Sequence, residues 1–101
     1  MDTKWHFEWD ENKNRKNQKK HSVSFEEATE VFFDPMQRGI LDVRYDDGEE
    51  RWITIGSTKK DRILVVGHLY NISVNGTETI RIITARTATR KERDQYENSK
   101  S

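Results

Sequence analysis

Polar residues near the C-terminal end of the sequence could act together on a phosphate ester. Arg86 lies where a strand pattern ends, and the helix pattern that follows it contains Glu92, Arg93 and Tyr96. Arginine offers a planar fork that binds two phosphate oxygens, and the start of a helix offers backbone N–H groups to an anion. Two interpretations stay open. These groups form a phosphate site, or Arg86 pairs with a carboxylate and Tyr96 packs in the core.

Cations are concentrated in two zones that flank an acidic middle. Residues 11–21 carry five lysines and arginines against one carboxylate, and residues 81–93 carry five against one. Residues 34–51 carry six carboxylates against three arginines, and the formal net charge of the chain is zero. Since the field of a charge falls off within about 8 Å at physiological salt, each basic zone could bind a polyanion locally. Either zone could instead be a solvated face, which is the usual role of a charge run.

The first basic zone predicts a helix with an unusual surface. Asp10 is a suitable N-cap, and residues 11–20 have helical propensity but almost no apolar stripe. Lys13, Asn17 and His21 follow one another at intervals of four residues, so they share one helix face. This face either docks on the sheet through satisfied polar groups or meets an anionic ligand.

Patterns in the first third of the chain predict a strand and a second helix. Aromatic residues alternate with polar ones over 4–9, which predicts a strand with one half-buried face. A capping box at 24–27 opens an amphipathic helix over 24–33, and the Asp34-Pro35 pair ends it.

The rest of the chain predicts four strands and a final helix. Asp47-Gly48 and Asn75-Gly76 are typical of tight hairpin turns, and the apolar run that follows residue 62 indicates the central strand. The predicted strands cover 41–45, 50–55, 63–70 and 79–85, and a second capping box opens a helix over 90–97 with a frayed tail at 98–101.

The order of these elements predicts a single α+β domain. It has a short N-terminal strand, two helices, a four-stranded antiparallel meander and a C-terminal helix, with the helices mainly on one face of an antiparallel sheet. Periodicity alone does not give the position of the first strand.

Composition excludes several functional classes. The chain has no cysteine, so it has no thiol nucleophile and no thiolate metal site. His6, His21 and His68 fall on three predicted elements without metal-ligand spacing, and we expect neither a metal nor a cofactor. Apolar runs are too short for a transmembrane helix or a signal peptide, so we expect a cytoplasmic protein without a membrane partner.

A series of short motifs keeps a characteristic order along nearly the whole chain. The motifs are FEWD at 7–10, Lys13 and Asn17 before KH at 20–21, VSFEEA at 23–28, FD at 33–34, IG at 55–56 after Arg51, RILVV at 62–66, RIITAR at 81–86 with Ala88, and ER at 92–93 with Tyr96. Together they resemble the BrnT family over about residues 5–97. In that family a glycine usually follows the histidine of the KH motif, whereas this chain has Ser22.

The resemblance implies a function and a set of site residues. BrnT proteins are toxins of bacterial type II toxin–antitoxin modules, similar in fold to RelE-type ribonucleases, and they cleave RNA and thereby arrest translation. A BrnA-like antitoxin is the implied partner, and operator DNA is reached only through the antitoxin. The residues implied by the resemblance are Arg86, Glu92, Arg93, Tyr96, Lys20 and His21.

RNA supplies its own nucleophile, the 2′-hydroxyl, so the expected cleavage needs a base, an acid and a cation but no metal. We expect Arg86 to stabilise the charge on phosphorus, with Arg81 or Arg93 in support. The candidates for acid and base are Glu92, Tyr96, Lys20 and His21, and further RNA contacts are expected at Lys13, Lys19, Arg62, Arg81 and Arg90. The alternative is a non-catalytic RNA- or protein-binding module that acts mainly as a co-repressor with its antitoxin.

Overall fold

The protein folds around a five-stranded sheet, which a computed structural model describes for residues 5–44 and 50–99. The strands are β1 (Trp5–Glu8), β2 (Arg38–Leu41), β3 (Arg51–Ser57), β4 (Ile63–Ile72) and β5 (Glu78–Thr87). The helices are α1 (Glu11–His21), α2 (Phe25–Ala28) and α3 (Arg90–Ser99), with a 3-10 helix at Thr29–Phe33. Within the described ranges, no helix has the length and apolar character needed to cross a membrane.

The sheet is mixed rather than antiparallel throughout. Its strand order is β1-β5-β4-β3-β2, and each consecutive pair from β2 to β5 is antiparallel. β1 lies parallel to β5, with Trp5 opposite Glu78 and Glu8 opposite Arg81. The predicted α+β class and the central position of β4 are confirmed, but the expectation of an antiparallel sheet is wrong. The chain leaves β1 into a helix instead of a hairpin, so no tight turn forces β1 to be antiparallel to its neighbour.

One face of the sheet carries the core. The side chains that form it are Val23, Phe25, Ala28, Val31 and Phe32 from the helical segment, Leu64 and Val66 from β4, and Ile80, Ile82 and Ala85 from β5. Because side chains alternate along a strand, the intervening residues point to the opposite face. We call this side the open face; it carries Arg51, Ile53 and Ile55 of β3, Val65 and Gly67 of β4, and Arg86 of β5.

Helix α1 docks on the sheet through asparagine side chains rather than an apolar stripe. The Asn17 amide nitrogen donates to the carbonyls of Ala85 at 2.7 Å and Val23 at 2.9 Å, and its oxygen accepts from the Ala85 N–H at 3.2 Å. Asn14 accepts from the Phe25 N–H at 2.9 Å. β1 covers only the first half of β5, so the Asn17 amide replaces a strand partner at Ala85. Of the two interpretations of this face, docking through satisfied polar groups holds for Asn17.

The predicted helix over 24–33 is two elements. Ser24 caps α2 as expected, since its hydroxyl accepts from the Glu27 N–H at 3.0 Å. The second half tightens into the 3-10 helix, which closes with a bond from the Asp34 N–H to the Val31 carbonyl at 3.2 Å. A 3-10 turn is a common way to end a helix when, as before Pro35, the chain must become extended.

The strand predicted over 41–45 is present, but it lies earlier in the chain, at Arg38–Leu41. β2 ends at Leu41, and the Asp42 carboxylate then accepts from the Arg44 N–H at 3.1 Å, which makes an Asx-type turn. Tyr45 and the predicted Asp47-Gly48 turn lie outside the described residues.

Most other predicted elements are confirmed with longer bounds. β3, β4 and β5 each extend beyond the predicted range, and the Asn75-Gly76 turn is present with Gly76 at φ 86°. α3 continues to Ser99, so the prediction of a frayed tail is wrong for residues 98 and 99. The first strand is confirmed as Trp5–Glu8.

α1 ends at a strained residue. Ser22 adopts left-handed backbone angles of φ 57° and ψ 33°, and its N–H donates to the Gln18 carbonyl at 2.9 Å. Glycine adopts this conformation without the steric cost that a Cβ imposes. The serine therefore meets the same backbone requirement at a cost in stability.

We predict that Ser22→Gly raises the free energy of unfolding by about 0.5–1 kcal/mol, because relief of left-handed strain exceeds the extra entropy of glycine in the unfolded chain. Urea unfolding measures the change. Ser22→Ala is the matched control and gives no gain, since alanine keeps the Cβ. A less stable Ser22→Gly protein would contradict the strain argument.

We predict that Asn17→Ala lowers the free energy of unfolding by about 3 kcal/mol, because it leaves buried backbone groups of Ala85 and Val23 without a partner. Chemical unfolding of both variants checks this. Asn12→Ala is the control on the same helix: its amide is exposed and only accepts from Arg15, so the loss stays below about 1 kcal/mol. Equal losses in the two variants would refute the docking role of Asn17.

Candidate functional site

The open face contains a cavity of about 330 Å³ bordered by three arginines. Arg44, Arg51 and Arg86 approach it from three different segments of the chain. Gly67 forms part of its floor, and a Cβ at that position would lie only 2.8 Å from the methyl group of Thr84. The described lining residues are Asp42, Arg44, Arg51, Trp52, Ile53, Val65, Gly67, His68, Ile83, Thr84 and Arg86.

A β-bulge brings Arg86 to this face. Gly67 pairs with Thr84 and His68 pairs with Ile82, so Ile83 is one extra residue in β5. Strict alternation from the buried Ile82 would turn Arg86 towards the core. The extra residue reverses the alternation, so Ala85 is buried and Arg86 points to the open face.

Arg86 is held by a two-pronged ion pair with Glu92. Its Nη1 donates to Oε1 at 2.7 Å and its Nη2 to Oε2 at 2.9 Å. Glu92 also completes the predicted capping box of α3, since Oε1 accepts from the Thr89 N–H at 2.8 Å and the Glu92 N–H donates to the Thr89 hydroxyl at 3.2 Å. The backbone N–H of Thr89 is therefore occupied, although the sequence predicted that the start of this helix offers its N–H groups to a phosphate. Arg86 is thus oriented from the first turn of α3.

The ion pair fixes the charge of both groups. The hydrogen bonds from Arg86 are the main cause that lowers the pKa of Glu92 to about 2, and the same bonds raise the pKa of Arg86. Glu92 is therefore ionised at neutral pH and is a weak base. A role for Glu92 in orienting Arg86 fits this geometry better than the expected role in proton transfer.

Tyr96 connects α3 to the end of the 3-10 helix. Its side chain is buried, and its hydroxyl donates to Oδ2 of Asp34, which also accepts from the Ser57 N–H at 2.8 Å. Burial, followed by the Asp34 carboxylate, raises the pKa of the Tyr96 hydroxyl above its ordinary value. Tyr96 therefore keeps its proton at neutral pH. Its hydroxyl is bound to Asp34, which does not favour a role in acid–base chemistry.

Arg44 and Arg51 are joined by Asp42. The Asp42 N–H donates to the Arg51 carbonyl at 2.7 Å, and the Asp42 carboxylate accepts from Nε of Arg44 at 2.9 Å and from Nη2 at 2.8 Å. The hydrogen bond from Arg44 lowers the pKa of Asp42. The positive charge of Arg44 lowers the pKa of Arg86 and so partly offsets the effect of Glu92. The two guanidinium groups therefore repel each other across the cavity.

Arg44 and Arg51 are the site residues that sequence reasoning missed. Both come from the stretch that its carboxylates mark as acidic. Two local signals could have found them. One is the Asp-x-Arg spacing of the Asx turn at 42–44. The other is the alternation of β3, which puts the Arg51 side chain on the face of the sheet that does not carry the buried Thr54.

The structure does not bring the other catalytic candidates to the cavity. Lys20 and His21 lie in the last turn of α1, and in residues 5–44 and 50–99 their side chains share no hydrogen bond or ion pair with Arg86, Glu92 or Tyr96. Arg93 is exposed on α3 and is not among the described residues that line the cavity.

The expected RNA-contact residues are dispersed. Lys13 and Lys19 are exposed on α1, and Arg90 is exposed at the start of α3. Arg62 is bound to Glu27 at 3.0 Å and to the Ser22 carbonyl at 3.1 Å, and Arg81 pairs with Glu8 at 3.5 Å. In the described part of the chain, no group of three His, Asp or Glu residues could hold a metal ion.

Comparison with known proteins gives a match over most of the chain. The family model for the ribonuclease toxin BrnT of type II toxin–antitoxin systems matches residues 9–92. The chain belongs to the BrnT family. Its structure is similar to the crystal structure of the Brucella abortus ribonuclease toxin BrnT, with a TM-score of 0.57, 25% sequence identity, and coverage of 83% of this chain and 96% of that chain. No curated protein sequence matches.

Membership in the BrnT family gives the arginine cavity a context. The protein is a ribonuclease toxin of a type II toxin–antitoxin system, and that class implies an antitoxin partner. The matched range contains Arg44, Arg51, Arg86 and Glu92, and it ends before Arg93 and Tyr96. All three arginines of the cavity and the carboxylate that holds Arg86 therefore lie in the part that matches the BrnT model.

The lowered pKa of Glu92 predicts an acid-dependent loss of stability. The unfolded chain binds this proton near pH 4.5 and the folded protein near pH 2, so the contribution of the ion pair is complete above about pH 5 and is lost as the pH falls towards 2. We expect the difference in free energy of unfolding between the wild type and Glu92→Gln to be constant near neutrality and to shrink over that range. His68, with a pKa of about 4, titrates in both proteins and cancels. A pH-independent difference would contradict the ion pair.

Proposed function

We propose that this BrnT-family chain is a metal-independent endoribonuclease that cleaves RNA in the arginine cavity of the open face. One observation carries the proposal: Arg44, Arg51 and Arg86 border a single concavity whose floor, at Gly67, has no side chain. Guanidinium groups suit phosphate because each can bind two oxygens, and a floor without a side chain lets a backbone phosphate approach the sheet.

The proposed reaction uses the 2′-hydroxyl of RNA as the nucleophile. The 2′-oxygen attacks phosphorus, the bond from phosphorus to the 5′-oxygen breaks, and the products are a 2′,3′-cyclic phosphate and a free 5′-hydroxyl. The 2′-hydroxyl loses its proton and the 5′-oxygen gains one. Arg86 stabilises the additional negative charge on the phosphorane, and a cation aimed at developing charge in this way lowers a barrier by roughly 3–4 kcal/mol.

The roles of the remaining groups follow from their partners. Glu92 is a positioning residue, because its two carboxylate oxygens fix the plane of the Arg86 guanidinium. Arg51 and Arg44 bind neighbouring phosphate oxygens. Lys20 and His21, the other sequence candidates for proton transfer, lie on α1 away from the cavity, so no side chain is assigned to the proton transfers.

The cellular role we propose follows from family membership. One domain would cleave cytoplasmic RNA and so arrest translation until a BrnA-like antitoxin binds it. The complex would reach operator DNA through the antitoxin alone. Exposed cations at Lys13, Lys19 and Arg90 would attract the RNA strand before the cavity binds it.

A non-catalytic binding module is the second candidate function. The specific observation in its favour is that Glu92 and Tyr96 are both engaged by partners that suppress proton transfer at neutral pH. Such a module would bind RNA or its antitoxin and serve mainly as a co-repressor. It would be tolerated when produced alone, whereas a ribonuclease would arrest growth.

We predict that Arg86→Ala reduces the rate of RNA cleavage about 100- to 1000-fold, because it removes the charge that stabilises the phosphorane. The purified protein is incubated with RNA in EDTA, and the product ends are tested for 2′,3′-cyclic phosphate. Arg51→Ala gives a smaller loss. Arg15→Ala, an exposed arginine of α1, is the matched control and retains activity.

Three outcomes would contradict this mechanism. A requirement for added divalent metal would contradict a reaction in which arginine is the stabilising cation. Full activity of a folded Arg86→Ala protein removes Arg86 from the reaction. Absence of cleavage and of growth arrest in the wild type favours the binding module instead.

A further inference from the structure

An apolar groove of about 580 Å³ lies beside the arginine cavity. β2, β3, β4 and α3 form its walls, and it shares Ile53 and Val65 with the cavity. Its apolar side chains are Ile40, Ile53, Ile55 and Val65, with Arg38, Glu92, Gln95, Tyr96 and Asn98 as polar or aromatic neighbours. The groove and the cavity therefore form one continuous surface on the open face.

The outer side of this groove exposes large aliphatic residues on an edge strand. β2 is the terminal strand of the described sheet, and Ile40 is 65% exposed. Leu41 and Val43, which follow on the same segment, are also exposed. An apolar patch on an open sheet edge favours association with another chain unless a partner covers it.

We propose that an acidic amphipathic segment of the antitoxin occupies this groove. Aliphatic side chains of the segment would pack against Ile40, Ile53 and Ile55, while its carboxylates would reach Arg38 in the groove and the arginines of the adjoining cavity. Charge favours this occupant, because the described lining of the shared surface carries four guanidinium groups, those of Arg38, Arg44, Arg51 and Arg86.

The continuity of the two surfaces gives the segment a regulatory effect. A chain that fills the groove ends directly beside Arg51 and Arg86, so its carboxylates would compete with RNA phosphate for the same cations. The inhibition, though not the binding, rests on the proposed ribonuclease activity. One segment would thus both hide an association-prone patch and neutralise the toxin.

The test compares two isoleucines of similar exposure. Ile40→Lys places a cation in the groove, and Ile72→Lys, at a site 58% exposed at the distant end of β4, is the matched control. The probe is the protein encoded by the reading frame adjacent to this gene, titrated against each purified toxin. We expect Ile40→Lys to weaken its binding at least tenfold and Ile72→Lys to leave it unchanged, because only Ile40→Lys removes an apolar anchor from the groove. RNA cleavage by both free variants is expected to equal that of the wild type.

The outcomes separate this inference from the proposed function. Equal binding by the two variants, or no binding by the wild type, overturns the groove assignment even if cleavage is normal. Loss of binding by Ile40→Lys alone supports it even if the wild type cleaves no RNA, in which case only the proposed function fails. A wild-type toxin that is dimeric by ultracentrifugation, and that Ile40→Lys makes monomeric, assigns the groove to a second copy and overturns the antitoxin proposal.

Discussion

One extra residue in β5 decides which face of the sheet carries the arginine cavity. Ile80 and Ile82 are buried, and uninterrupted alternation would carry Arg86 into the same core, where an unpaired guanidinium is costly. The bulge at Ile83 avoids this conflict by rotating the end of the strand. Ala85 then faces α1, whose Asn17 holds its backbone, and Arg86 faces solvent and Glu92. The pairing of β4 with β5 therefore sets the chemistry of the open face.

Local signals predicted most of the elements, because the forces behind them act over a few residues. The N-cap at Ser24, the capping box at Thr89 and the Asn75-Gly76 turn each involve neighbours in sequence, and each is present. The Glu27 carboxylate, which was expected to complete a box at Ser24, pairs with Arg62 instead. The parallel direction of β1 and the bulge at Ile83 depend on pairing between distant segments, which periodicity does not encode. The Asx turn at Asp42 is local, but alternation over 41–45 was the stronger pattern and gave the wrong bounds for β2.

The candidate site was predicted in part. The junction of the last strand and helix left two interpretations open, and the contacts are those of the second: Arg86 pairs with a carboxylate, that of Glu92, and Tyr96 is buried. Arg44 and Arg51 were not predicted as site residues, because a count of charges along the sequence placed them in an acidic zone. Folding puts β3 two strands away from β5 and brings these arginines to the same face as Arg86, so spatial charge differs from linear charge.

Because two asparagine amides attach α1, its other side chains are not needed to pack the helix against the rest of the protein. Only Asn14 and Asn17 are buried, and the cationic residues between and beyond them face water. Hydrogen bonds from two positions hold the helix, so exchange of the surrounding lysines would alter attraction to polyanions at little cost to folding. The charge of α1 can therefore change by substitution of its exposed lysines while the hydrogen bonds that attach the helix stay in place.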